Sequence, residues 1–68
     1  MENNWVKIYS SNQATQIEFA KSLMEEASIE TFEINKTDST YLMGEIELYV
    51  DQTLVDKAQL ILTENDLM

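Results

Sequence analysis

The chain has no cysteine, no histidine and no arginine, and it carries one glycine in 68 residues. Without cysteine there are no disulfides, and without cysteine and histidine the usual zinc and haem ligand sets are missing, so no cofactor is expected. The same gap removes the side chains that act as base or nucleophile near neutral pH. Positive charge is scarce as well. Four lysines (Lys7, Lys21, Lys36 and Lys57) stand scattered against thirteen acidic residues, a formal net charge of −9. Nucleic acids and anionic membranes both demand clustered positive charge, so neither is expected as a partner. The acidity serves solubility; its sharper reading is a basic partner protein.

No apolar run is long enough to span a bilayer. Met1-Glu2-Asn3-Asn4 has no basic region leading into a hydrophobic core, so no secretory signal is read there. The chain reads as soluble and cytoplasmic, which the lack of cysteine fits. Its length suits one domain over 1–68, with 1–4 and 65–68 expected as frayed ends. Such a domain buries only about 60% of its unfolded surface, and small domains often add disulfides, metals or a second subunit. With the first two gone, oligomerisation remains, and a homodimer is expected.

What is present is patterning. In Gly44-Glu45-Ile46-Glu47-Leu48-Tyr49-Val50 the apolar residues Ile46, Leu48 and Val50 alternate with Glu45, Glu47 and Tyr49. This is a strand with one buried and one wet face, and Asp51 after it caps a helix. Trp5–Ser10 reads as a first strand, Val6 and Ile8 on one face, Trp5, Lys7 and Tyr9 on the other. Ser11 or Asn12 then caps a helix from about Gln13 to Ala27, with Ala14, Ile17, Ala20, Leu23 or Met24 and Ala27 at three-four spacing. On its wet side Lys21 can pair with Glu18 and Glu25. No glycine ends this helix; Ser28 is read as its stop, and Ile29 packs beneath it.

Residues 30–34 follow as a strand with Phe32 and Ile34 as its buried pair. Asn35–Met43 is the longest irregular segment, polar and turn-forming over its first six residues. A second helix runs from Gln52 to about Glu64 with Leu54, Val55, Ala58, Ile61 and Leu62 inward. The order strand-helix-strand-strand-helix places the third strand between the first two, antiparallel to both, with both helices on one face. The expected fold is α+β, a ferredoxin-like split βαβ whose fourth strand is absent or minimal. Its expected core is Val6, Ile8, Ile17, Leu23, Phe32, Ile34, Ile46, Leu48, Val50, Val55, Ala58 and Ile61.

Residues 5–9 (Trp-Val-Lys-Ile-Tyr), 21–27 (Lys-Ser-Leu-Met-Glu-Glu-Ala), Ile29-Glu30 and 44–51 (Gly-Glu-Ile-Glu-Leu-Tyr-Val-Asp), with the closing helix, carry a resemblance over about residues 5–64. They resemble a family of small bacterial domains described as putative prokaryotic signal-transducing proteins. The resemblance implies a ferredoxin-like fold, related in shape to PII-type nitrogen regulators, and a signalling role. Many members have Gly where this chain has Ser28, and Pro where it has Asp51. No catalytic residues are established for the family, so none carries over. PII-type proteins hold nucleotide with basic and glycine-rich loops; the 35–43 segment has one lysine and no glycine, which argues against that ligand.

The candidate site follows from the open sheet face. Trp5, Tyr9 and Tyr49, with Lys7, Glu45 and Glu47, are expected there as an interface, because an aromatic patch on an open sheet marks a contact surface. Base stacking on these rings is opposed by their acidic neighbours and the missing arginines. Glu45 and Glu47 are read as solvated carboxylates pairing with Lys7, since acid-base work needs burial that an open face does not give. Asn35, Asp38 and Ser39 offer oxygen ligands but lack the glycine and closing glutamate of a calcium loop, so they are read as a turn and no metal is expected. The function expected is a non-catalytic interaction or regulatory domain, acting through itself or a protein partner. The alternative is a metabolite sensor with a small-molecule ligand at the 35–43 loop, on Asn35, Lys36, Asp38 and Tyr41.

Overall fold

The structure is a computed structural model and describes residues 4–36 and 45–67. Its elements are β1 (Trp5–Ser11), α1 (Ala14–Glu26), β2 (Thr31–Asn35), β3 (Ile46–Asp51), a 3-10 turn (Gln52–Leu54) and α2 (Val55–Glu64). The sheet order is β1-β3-β2, and both outer strands run antiparallel to β3. The fold is α+β, a three-stranded open sheet with two helices, compatible with a ferredoxin-like arrangement. Among the described residues no helix is long and apolar enough to cross a membrane.

The central strand behaves as its alternation dictates. Ile46, Leu48 and Val50 are buried beneath the helices, with Ile8, Ile17, Ala20, Met24, Ile29, Ala58 and Leu62 completing the core. Both helices pack against β1 and β3, and against each other. Leu23, Val55 and Ile61, expected in the core, lie half-buried around it, and Val6 is exposed.

Two placements overturn the sequence reading. Ile8 has no Cα partner in the β1–β3 register, so it and Tyr9 together oppose Leu48. This bulge carries Tyr9 off the open face, because the extra residue resets the period-two alternation. Tyr9 now packs against the core and donates its hydroxyl to Gln16 Oε1 of α1 at 3.2 Å. On β2 the faces are reversed. Phe32 sits opposite Tyr49, and Ile34 opposite Glu47, so both point to the helix-free side, and Phe32 is 50% exposed. The helix side of β2 holds Thr31, Glu33 and Asn35. Ile29 supplies that end of the core instead.

Helix ends explain much of the chain path. Gln13, not Ser11 or Asn12, is the α1 N-cap, and its side chain makes no cap bond. Ser11 still serves that end: its Oγ accepts from Gln13 N at 3.0 Å and donates to Gln16 Oε1 at 2.9 Å. Asp51 caps as expected, its Oδ1 accepting from Thr53 N at 2.9 Å and from Thr53 Oγ1 at 2.8 Å. Both helices close in the same way. Ile29 N donates to Met24 O and Leu67 N to Leu62 O, after a left-handed residue at Ser28 (φ 61°) and Asp66 (φ 62°). This is the Schellman closure, and the apolar residue beyond the left-handed one returns to the core in both. Residues 65–67, expected as a loose end or a short last strand, thus form a helix-closing turn. At the other end Asn4 O accepts from Gln52 N at 2.8 Å.

A left-handed non-glycine residue carries a steric cost that glycine avoids. Ser28→Gly is expected to raise stability by about 1 kcal/mol, a shift of about 4–8 °C in a domain this small. Thermal unfolding followed by circular dichroism checks it; an unchanged or lowered midpoint contradicts it.

Lys21 does not pair along its helix. Its Nζ meets Glu33 Oε1 on β2 at 3.0 Å. The hydrogen bond and charge of Glu33, with smaller help from Glu18 and Glu25, raise the Lys21 pKa against the opposing effect of burial. This ion pair ties α1 to the edge strand whose helix side is otherwise short of apolar residues.

Candidate functional site

The helix-free face of the sheet is where the distinctive side chains gather. Trp5 and Phe32 stand on the two outer strands, whose backbones lie about 10 Å apart across β3. Their ring centroids are nevertheless 5.8 Å apart, so the rings lean toward each other over the central strand. Phe32 also meets Tyr49 edge-on, at 6.5 Å. These are separations at which aromatic pairs attract. Ile34 continues the apolar surface along β2.

Beside the rings lies a charged knot. Among the described residues Glu47 is the buried charged one, 6% exposed although it stands on the open face. Its Oε1 accepts from the Tyr49 hydroxyl at 2.8 Å and meets Lys36 Nζ at 3.4 Å; its Oε2 meets Lys7 Nζ at 3.4 Å. Lys7 was expected as its partner. Its burial was not: neighbours on both outer strands shelter it, so it is not a solvated carboxylate. Glu45 is exposed, as expected.

The Tyr49 hydrogen bond lowers the Glu47 pKa, and the hydrogen bond and charge of Lys36 and the charge of Lys7 add to it, against the raising effect of burial. The same bond raises the pKa of Tyr49. Glu47 is therefore held ionised at neutral pH. It fixes the Tyr49 ring and collects two ammonium groups at the edge of the aromatic cluster.

The pH consequence has a definite sign. A carboxyl whose pKa is lower in the folded state contributes stability that is complete above its ordinary value of 4.5 and is lost as pH falls through the folded value. Asp51, lowered by its bonds from Thr53, acts in the same direction. Thermal midpoints are therefore expected to fall below about pH 4.5, less steeply in Glu47→Gln than in the native chain. Parallel acid limbs in the two proteins contradict the role given to Glu47.

Of the expected interface residues, the structure brings Trp5, Lys7, Glu47 and Tyr49 together, sends Tyr9 to the other face, and adds Phe32 and Ile34. The signal that could have found Phe32 was its alternation with Glu33, had the face been known. Of the expected ligand residues, Asp38 and Tyr41 lie outside the described residues, as do Ser39 and Gly44. Asn35 pairs with Ile46 on the helix side, whereas Lys36 reaches Glu47 on the open side, so these two do not converge. Among the described residues no group of three or more Asp or Glu side chains is placed to hold a metal ion. A shallow cleft of about 390 Å³ lies beside β1, lined by Lys7, Ile8, Tyr9, Ser10 and Leu67. Lys7 is the one charged group along it, and that ammonium is already engaged with Glu47.

Comparison with known proteins decides the family. The model of the family described as putative prokaryotic signal transducing protein matches residues 5–66. The chain belongs to that family. The match takes in every described strand and helix and all the residues of the open face named above. No curated protein and no solved structure gives a significant match.

Proposed function

We propose that this family member is a small non-catalytic regulatory domain whose working surface is the open sheet face. The observation that carries the reading is the ring cluster of Trp5, Phe32 and Tyr49 on a face that neither described helix covers, with Phe32 half exposed. A sheet face that needed only to stay wet would carry polar residues at these positions. Large rings there suit contact with another protein, where aromatic residues are enriched. The family description, signal transduction, agrees with a domain that works by binding. The lack of histidine and cysteine, and a buried carboxylate held ionised, support a non-catalytic role. We place it in the cytoplasm, where a chain stabilised without disulfides is expected.

The test is protein capture from a native prokaryotic lysate on immobilised chain, compared with Phe32→Ser. The native chain is expected to retain a protein, either itself or another. The variant is expected to retain it at least about tenfold less, a loss of ~1.4 kcal/mol of binding. Equal capture by both removes the open face as the working surface.

A further inference from the structure

The two layers of this molecule differ in charge. Among the described residues, Glu18, Glu25, Glu26, Asp56 and Glu64 lie on the two helices, with Lys21 and Lys57 as their cations. On the open face Lys7 and Lys36 both converge on the single carboxylate of Glu47. Half of the chain's lysines thus stand beside the aromatic cluster. Glu45 and Asp51 alternate with Glu47 and Tyr49, so among the described residues the open side carries three carboxylates against two lysines and the helices five against two, and the open side is the less acidic of the two layers.

We propose that the open face is covered by a second copy of this chain, sheet against sheet. The proposal rests on the reading of that face as the working surface and names its occupant. The geometry is what favours a copy. The molecule is a slab, 16 Å across its shortest axis. Stacked sheets lie about 10 Å apart, and a helix layer about 10 Å thick lies outside each, so the acidic helix layers of the two copies stand roughly 30 Å apart. That is more than three Debye lengths of ~8 Å at physiological salt, so their repulsion is screened. Any contact through the helices sets like charges within one Debye length. The pair has two-fold symmetry, Trp5 and Phe32 of each copy packing on the rings of the other. It completes an α/β/β/α sandwich in which each sheet is covered on both faces.

Its strength follows from its size. Three strands of about six residues give a projected footprint of roughly 300 Å². Even doubled by side-chain relief, this falls short of the ~800 Å² per partner of a standard interface. The dimer is therefore reversible, forming in the micromolar to millimolar range. Because apolar contact favours it and net charge opposes it, added salt strengthens it. A heterologous complex built on Lys7 and Lys36 has the opposite salt response.

Sedimentation equilibrium of the native chain, from micromolar to millimolar concentration at low and high salt, tests this. The mass is expected to rise from monomer to dimer with concentration, more readily at high salt, and to stay monomeric in Phe32→Glu. Trp5→Ser gives the same result without a new charge and stands in for Phe32→Glu if that variant does not fold, as judged by circular dichroism. A native chain monomeric at millimolar concentration at both salts overturns the proposal. If Phe32→Ser still abolishes capture of another protein, the open face survives as a working surface for a different partner. A dimer that persists undiminished in both variants overturns the proposal; the reading beneath it falls only where Phe32→Ser also leaves protein capture unchanged.

Discussion

Leu48→Ala is expected to remove a large share of the stability of the fold. Leu48 is 0% exposed, on the middle strand, opposed by Ile8 and Tyr9 on one side and Glu33 on the other, within the core cluster beneath the helices. Truncating a buried leucine costs about 3 kcal/mol or more, because the transfer energy is lost and a cavity remains. A domain of this length holds roughly 3–10 kcal/mol in total. It has no disulfide to limit the unfolded chain. The melting midpoint should fall by about 12 °C or more. A shift of only a few degrees would mean that the core is not centred on β3.

Phe32→Ser is expected to separate folding from binding. Were Phe32 in the core, its truncation would cost about 3–5 kcal/mol and lower the midpoint as far as Leu48→Ala does. On the open face the loss is limited to its edge contact with Tyr49, its contact with Trp5 and the covered half of its ring, about 1–2 kcal/mol. The variant should remain folded, with a midpoint drop no more than about two thirds of that in Leu48→Ala, while its capture of protein falls at least tenfold. A variant that unfolds as Leu48→Ala does would return Phe32 to the core and empty the open face of its anchor.

The difference between these two residues shows where the sequence was readable. Leu48 sits in an unbroken alternation, and period two alone assigns it to one face with Ile46 and Val50. The α1 stripe, the Asp51 cap and Ile29 beneath the end of α1 were legible for the same reason: each depends on residues a few positions apart. Phe32 and Ile34 alternate just as cleanly with Glu33. Alternation, however, says that two faces exist and not which one the helices cover. Hydrophobicity favoured the core, but the register against β3 puts Thr31 and Glu33 there, and Lys21 satisfies Glu33 from α1. Tyr9 was misplaced by a bulge that no glycine announces. Glu47 looked like a wet strand residue because its shelter comes from Lys7 on β1 and Lys36 just beyond β2, about 40 and 11 residues away in the chain. The aromatic surface of the open face could be foreseen from Trp5 and Tyr49. Its membership depended on register, which is a long-range property.

Trp5 is the sole tryptophan of the chain and stands within the ring cluster. Its fluorescence reports on the open face without labelling. The most direct measurement is acrylamide quenching and emission wavelength of Trp5 in the native, folded protein as its concentration rises from micromolar to millimolar. The account predicts a blue shift and a falling quenching constant as the ring becomes covered, in step with the rise in mass. A ring that stays equally quenchable and unshifted while the mass rises would show that the chain associates through some other surface, and would contradict the central claim.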